Sequence, residues 1–286
     1  MKFLQNKIIF FFLAIVASTN AMAAQELCES KYSALVFDDE SNKIIFEKNA
    51  DEIIYPASLT KVMTAYLVFE ALEKKQLSLA QQLTISANAQ DVGSVNKVNT
   101  LNLKEGDKIS VEDALKGMLV KSFNESAEAL AEAVAGDEWH FAQMMNRKAA
   151  ELKMRYTNFR NASGLHEEGH YTTNYDLARL VKAVQQDFPQ YRKYFSLKSF
   201  KFKGVEYKAT NHVLLEYKGA DGFKTGFTNA AGFNLIASAK HDNIRVTSIL
   251  TGCESYKKRD EFTKNLLDEG FEMVEKNDPE LIVLLK

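Results

Sequence analysis

The run Val62-Met63-Thr64-Ala65-Tyr66-Leu67-Val68-Phe69 carries no charge, and after Glu70 it resumes with Ala71-Leu72. Apolar residues fall on nearly every side of a 3.6-residue period, so a helix here has no face for water and must be enclosed by the rest of a domain. At 286 residues, 46% hydrophobic and only three prolines, the chain is long and apolar enough to enclose it. The residues leading in, Pro56-Ala57-Ser58-Leu59-Thr60-Lys61, carry chemistry. Pro56 suits the approach to a helix, and Ser58 falls where backbone N–H groups lack intrahelical partners. Lys61 follows one turn later on the same face, within reach of Ser58. A lysine at the mouth of an apolar helix loses hydration, which disfavours its ammonium form, so Lys61 can act as a free amine that takes the Ser58 proton. The free N–H of Ser58 and the positive helix end would then hold the oxyanion formed on attack.

Ser-x-x-Lys alone is a weak signal. It recurs at Ser94-Val95-Asn96-Lys97 and Ser255-Tyr256-Lys257-Lys258. The first copy lies in a polar, glycine-containing stretch and the second among Lys257, Lys258, Arg259 and Asp260, so neither has an apolar helix to depress a lysine pKa. Both read as helix caps with solvated lysines.

A net charge of -2 with acids and bases interspersed gives no basic stripe for nucleic acid. Residues 1–23 combine a basic start, an apolar run from Ile8 to Ala17 and a small-residue site at Ala21-Met22-Ala23, the pattern of an export signal cleaved before Ala24. The expected location is across the cytoplasmic membrane, in the periplasmic or cell-wall space, with no strong membrane anchor because the apolar run is short for a span. Cys28 and Cys253 then lie in a compartment where disulfides persist.

Strand-like runs at Tyr32–Phe37 and Ile44–Glu47 flank a polar turn. Loop-rich sequence follows the buried helix to about Gly106. Ser110-Val111-Glu112-Asp113 then caps a helix, Glu125–Ala135 and Trp139–Leu152 have helical spacing, and Thr173 caps another helix to about Asp187. Short strands come last, Phe200–Phe202, Gly222–Phe227, Phe233–Ala239 and Ile244–Leu250, before a closing helix, Asp260–Glu275. Strands at both chain ends with helices between predict one sheet built from the two ends and covered by helices.

Two further motifs follow Ser58 in order. Ser122-Phe123-Asn124 offers a hydroxyl and a carboxamide, and Lys224-Thr225-Gly226 lies on a strand whose glycine lets a substrate approach the backbone. Ser-x-x-Lys, Ser-x-Asn and Lys-Thr-Gly in this order are shared by penicillin-binding proteins and related β-lactamases. With Asn161-Ala162-Ser163-Gly164-Leu165, His170-Tyr171-Thr172-Thr173 and Ala231-Gly232-Phe233-Asn234-Leu235 the chain resembles the low-molecular-mass penicillin-binding proteins that are serine D-alanyl-D-alanine carboxypeptidases, from about Tyr32 to Phe271. The resemblance implies an α/β (α+β) fold, a five-stranded antiparallel sheet covered by helices with an inserted helical subdomain, over a single catalytic domain, 24–286, that lacks the C-terminal β-domain of membrane-held members. It implies Ser58 as acylated nucleophile, Lys61 as base and Ser122 as proton relay. Asn124, Lys224, Thr225 and Gly226 would bind substrate, and the N–H groups of Ser58 and Phe227 would form the oxyanion hole. Implied partners are peptidoglycan stem peptides and β-lactam antibiotics, with neither cofactor nor metal.

There are departures. Phe123 is bulky where the family has a small residue, so the shape of the cleft beside Asn124 is open. Thr210 stands where some members carry an arginine that binds the substrate carboxylate, which leaves Arg259 as the substitute anchor or as a solvated cation. In the implied fold the strand after Cys28 runs antiparallel to the strand before Cys253, which brings the two to one sheet edge and predicts a disulfide. The alternatives are a D,D-endopeptidase on crosslinks, which uses the same residues, and a β-lactamase-like hydrolase, which is disfavoured because no Glu-x-x-Leu-Asn stretch follows Ser122. His166 and His170 read as loop structure rather than zinc ligands, since there is no His-Glu-x-x-His.

Overall fold

Residues at the two chain ends meet in one antiparallel sheet. The computed structural model describes residues 28, 31–95, 100–276 and the backbone of 283–284; the expected export signal and Lys97 lie outside them. Strands β1 (Ser33–Asp38) and β2 (Lys43–Lys48) form the expected hairpin, and β1 also pairs with a strand from the far end of the chain. Next come α1 (Lys61–Glu73), β3 (Gln82–Thr84), α2 (Ala87–Ser94), β4 (Lys108–Ser110), α3 (Val111–Lys116), α4 (Asn124–Ala135), α5 (Glu138–Glu151) and α6 (Asn174–Asp187). The chain ends with β5 (Ser199–Phe202), β6 (Val205–Lys208), α7 (His212–Glu216), β7 (Ala220–Thr228), β8 (Gly232–His241), β9 (Ile244–Cys253), α8 (Tyr256–Glu275) and β10 (Val283–Leu284). The main sheet has the order β10-β2-β1-β9-β8-β7, so β7 is an edge strand. Its five long strands are those expected; the two-residue β10, against β2, adds a sixth.

All six residues of β1 are buried because the sheet is covered on both faces. Leu35 and Phe37 join the core formed with α1, α4 and α6, while Ala34 and Val36 join Phe262, Leu266, Leu267 and Phe271 of α8. That alternation is the period of a strand, and the α8 set is the stripe of a helix with one buried face. Helix α1 is enclosed as its sequence requires: every residue from Lys61 to Phe69 is buried. Ser110, Thr173 and Ser255 all cap helices, accepting from Asp113, Asp176 and Lys258 N–H groups respectively. The Ser255 copy of Ser-x-x-Lys is thus a cap, as expected, whereas Ser94 is the last residue of α2 and donates through Oγ to the Gln90 carbonyl at 2.9 Å.

Two local expectations are corrected. The stretch expected as loop before Gly106 contains α2, capped by Ser86, whose Oγ accepts from Ala89 N at 2.9 Å. Its sequence is too polar to show a helical stripe, and it is held by α4, where Asn88 Nδ2 donates to Glu128 Oε1 at 2.8 Å. The Phe200–Phe202 strand exists, yet it pairs with β6 in a separate hairpin. The Cys28–Cys253 expectation is met in geometry. Ser33 faces Thr251 across the β1–β9 ladder, and the Cα atoms of the two buried cysteines lie 5.2 Å apart, within disulfide range.

Candidate active site

Ser58 lies in a 3₁₀ turn, Ala57–Thr60, between Pro56 and α1. The turn is pinned from two sides. Asn234 on β8 donates through Nδ2 to the Tyr55 and Pro56 carbonyls at 3.0 and 3.3 Å. Gly164, at φ +80°, approaches so closely that a Cβ there would lie 1.9 Å from the Ala57 oxygen, which excludes any other residue. Ala57 itself is held at φ 49°, an uncommon conformation for a residue with a side chain and one that persists only where its surroundings enforce it. His170 adds a further brace. Its Nδ1 accepts from Arg160 N at 3.3 Å, so Nε2 carries the proton and donates to Thr60 Oγ1 at 2.9 Å. Burial pushes its pKa down to about 4 and keeps the ring neutral. His166 instead packs edge-on against Tyr55, so the two histidines serve the loop.

Lys61 opens α1 and is fully buried. Its Nζ lies 2.9 Å from Ser58 Oγ, 2.8 Å from Asn124 Oδ1 and 2.5 Å from the Ser163 carbonyl. Burial, and then the positive charge of Lys224, hold its pKa well below the usual lysine range, against a smaller opposite pull from Glu125. A neutral amine has two N–H bonds and one lone pair. Two carbonyl-type oxygens can accept those N–H bonds, which leaves the lone pair for the Ser58 hydroxyl.

Ser122 and Asn124 reach the cleft through irregular backbone. A π-helical stretch, Gly117–Lys121, ends at Ser122, whose φ of 68° and ψ of 29° are left-handed, and Asn124 begins α4. The Ser122 hydroxyl is buried and has no hydrogen-bond partner among the described residues. Phe123 points away from the cleft: it packs edge-on against Phe200 and Tyr207 at 6.3 and 5.3 Å and joins Val120, Ala209 and Leu214 beneath the β5–β6 hairpin. The bulk that left the cleft shape open therefore fills a neighbouring core.

On edge strand β7 the residues alternate. A Cβ at Gly226 would lie 3.0 Å from the Pro56 oxygen and 3.2 Å from Ser58 N, so that face abuts the nucleophile turn. Lys224 shares it, 1% exposed, with Nζ donating to the Thr225 carbonyl at 2.9 Å; burial, and then the charge of Arg259, lower its pKa to about 7. Thr225 faces the other way and meets Thr210, hydroxyl to hydroxyl at 2.8 Å. A cleft of about 450 Å³ runs past Ser58, Ser122, Thr225, Phe227 and Arg259. Arg259 is in that wall and is no solvated cation: it is 4% exposed, and Nε and Nη2 both donate to Asp260 Oδ1, at 2.8 and 2.6 Å.

All the motif residues thus converge on one cleft. The backbone oxygen of Ser163 is not a site atom that sequence can single out, because a carbonyl has no side-chain signature; the Asn161–Leu165 motif marks the stretch without giving it a role. Tyr256, Phe233, His212 and Lys121 also line the cleft and were not anticipated.

The chain matches the D-alanyl-D-alanine carboxypeptidase family, peptidase family S11, over residues 19–255. It is 32% identical to the D-alanyl-D-alanine carboxypeptidase DacF of Bacillus subtilis, over 96% of this chain and 72% of that one. It is 34% identical to DacC of Escherichia coli, over 94% of this chain and 68% of the relative. Its fold superimposes on penicillin binding protein 6B of Escherichia coli with a TM-score of 0.77 at 34% identity, covering 84% of this chain and 77% of the other. Since the matched span contains Ser58, Lys61, Ser122, Asn124 and the Lys224–Gly226 strand, gathered here around one cleft, the chain belongs to the serine D-alanyl-D-alanine carboxypeptidase family.

Proposed function

We propose that this enzyme removes the terminal D-alanine from peptidoglycan stem pentapeptides through an acyl-enzyme on Ser58. The observation that carries the assignment is the Lys61 amine, 2.9 Å from Ser58 Oγ, with oxygen acceptors at 2.8 and 2.5 Å for its two N–H bonds. The substrate lies along the free edge of β7, its carbonyl oxygen toward the N–H groups of Ser58 and Phe227. Lys61 takes the Ser58 proton, Oγ attacks the carbonyl carbon of the penultimate D-alanine, and the oxyanion is held by the two N–H groups. The C–N bond then breaks. Ser122 passes a proton to the leaving amine, and Thr225, Lys224 and Arg259 hold the carboxylate of the departing residue. Asn124 orients both Lys61 and the peptide. Water attacks the ester in the second half, with Lys61 again as base, and frees Ser58.

β-Lactams acylate the same serine. Intact-protein mass spectrometry with a penicillin is expected to show one adduct, lost in Ser58→Ala and kept in Ser94→Ala; labelling of Ser58→Ala would overturn the assignment. Incubation with mixed muropeptides is expected to convert pentapeptides to tetrapeptides. Loss of crosslinked dimers with pentapeptides untouched would make the enzyme an endopeptidase instead.

The same proposal covers the compartment. Residues 1–23 direct export and are removed before Ala24, the mature enzyme works outside the cytoplasmic membrane, and Cys28 is joined to Cys253 there. In the chain-entropy view, closing so long a loop stabilises by about 5 kcal/mol. Cell fractionation and peptide mapping without reductant test both points; a cytoplasmic protein with two free thiols would refute them.

A further inference from the structure

The cleft continues beyond the residues that would hold a carboxylate. Thr225 and Phe227 are two apart on β7 and share a face, and Tyr256 and Arg259 are one turn apart on α8. Each anchor therefore has an aromatic neighbour further along the cleft. Phe227 stacks on Phe233 with ring centroids 4.2 Å apart, Phe233 is 6.4 Å from Tyr256, and Tyr256 meets His212 edge-on at 5.7 Å. All four residues line the cleft. Phe227 is nevertheless 48% exposed and Tyr256 44%, so neither ring is spent on the core. A departing D-alanine has only a methyl side chain and cannot cover such a surface.

We propose that Phe227, Phe233 and Tyr256 form a leaving-group subsite that accepts a C-terminal D-amino acid with an apolar side chain larger than methyl. The proposal rests on the carboxypeptidase reading, because it places the leaving residue between Thr225 and Arg259 on one side and the aromatic wall on the other. The covalent step is unchanged: the C–N bond between D-alanine and the final residue breaks, the acyl group passes to Ser58 Oγ, and the released amine takes the serine proton. Extra carbons on the leaving residue displace water from the rings and strengthen binding before and during acylation.

Acetylated L-Lys-D-Ala-D-Xaa peptides with Xaa as alanine, leucine or phenylalanine test this directly, with kcat/KM followed by release of the free D-amino acid. The wild-type enzyme is expected to release D-leucine and D-phenylalanine at least as efficiently as D-alanine. Phe227→Ala and Tyr256→Ala are each expected to lower the leucine-to-alanine ratio of kcat/KM about tenfold, mostly through KM, and Tyr256→Phe to preserve it. Penicillin labelling of the Tyr256 variants confirms an intact cleft. A wild-type enzyme that releases D-alanine but disfavours D-leucine and D-phenylalanine tenfold or more overturns the subsite alone, as does a ratio unmoved in both alanine variants. An enzyme that releases no D-alanine and takes no penicillin overturns the carboxypeptidase reading, and the subsite with it.

Discussion

Two charged residues three apart on β7 have opposite fates. Asp221 is mostly covered, and burial alone would raise its pKa; Arg192 grips both of its oxygens at 2.8 and 2.6 Å, Ser238 donates at 2.6 Å and Arg245 pairs with it, so the carboxylate is held below its usual range. Lys224 is more deeply buried and has, among the described residues, only a neighbouring carbonyl for a partner, while the charge that acts on it most, Arg259, is of like sign. One end of the strand has its charge compensated and is structural. At the middle of the strand compensation is withheld, so the Lys224 amine exchanges its proton near neutral pH, and burial lowers the pKa of Lys61 as well. Glu128 sharpens the contrast. It is fully buried with one oxygen unpartnered among the described residues, and burial followed by Glu138 raises its pKa, yet it lies outside the cleft lining.

The comparison breaks most readily at Lys61. Lys61→Met is expected to lower penicillin acylation by about 10³-fold while the protein stays folded, because the base is lost and no ion pair among the described residues is broken. Mass spectrometry and a thermal melt check this; wild-type labelling in a folded variant would refute it. Asp221→Ala is expected to destabilise by about 3 kcal/mol in denaturant unfolding, since two guanidiniums lose their carboxylate. Lys224→Met is expected to do the reverse. The folded pKa of Lys224, about 7, is below the unfolded 10.5, so burial penalises the native state fully below pH 7, and the penalty fades as pH rises to about 10.5. The stability gain of Lys224→Met is therefore greatest at pH 7 or below and closes toward pH 10.5. Acylation in the wild type should fall toward acid pH as Lys61 gains a proton. The smallest effect is at Glu128. With its folded pKa raised, the native state is penalised as pH rises above the ordinary carboxylate range, so Glu128→Gln should gain about 1 kcal/mol, a few degrees of melting temperature, at pH 8 and nothing at pH 4. An equal gain at both values would show that packing, not charge, explains it.

Much of this was legible in the chain. The burial of α1, the caps at Ser110, Thr173 and Ser255, and the placing of both cysteines at one sheet edge followed from short-range signals or from the motif order. Helix α2 was not legible, since its polar sequence becomes helical against α4, and β10 is too short to announce itself. At the site the motifs named the side chains but not their surroundings. The direction of Phe123 depends on the left-handed turn at Ser122, and the fate of Arg259 on Asp260 beside it.

By itself the sequence determined which groups could react, because helix period, capping and motif spacing act over a few residues. Only the tertiary structure decided in which protonation state they are held. The Lys61 amine takes its acceptors from Asn124 and Ser163, 63 and 102 residues away, and loses its hydration to an enclosing core. Proton affinity depends on the dielectric and on partners in space, and neither is written in any local stretch of chain.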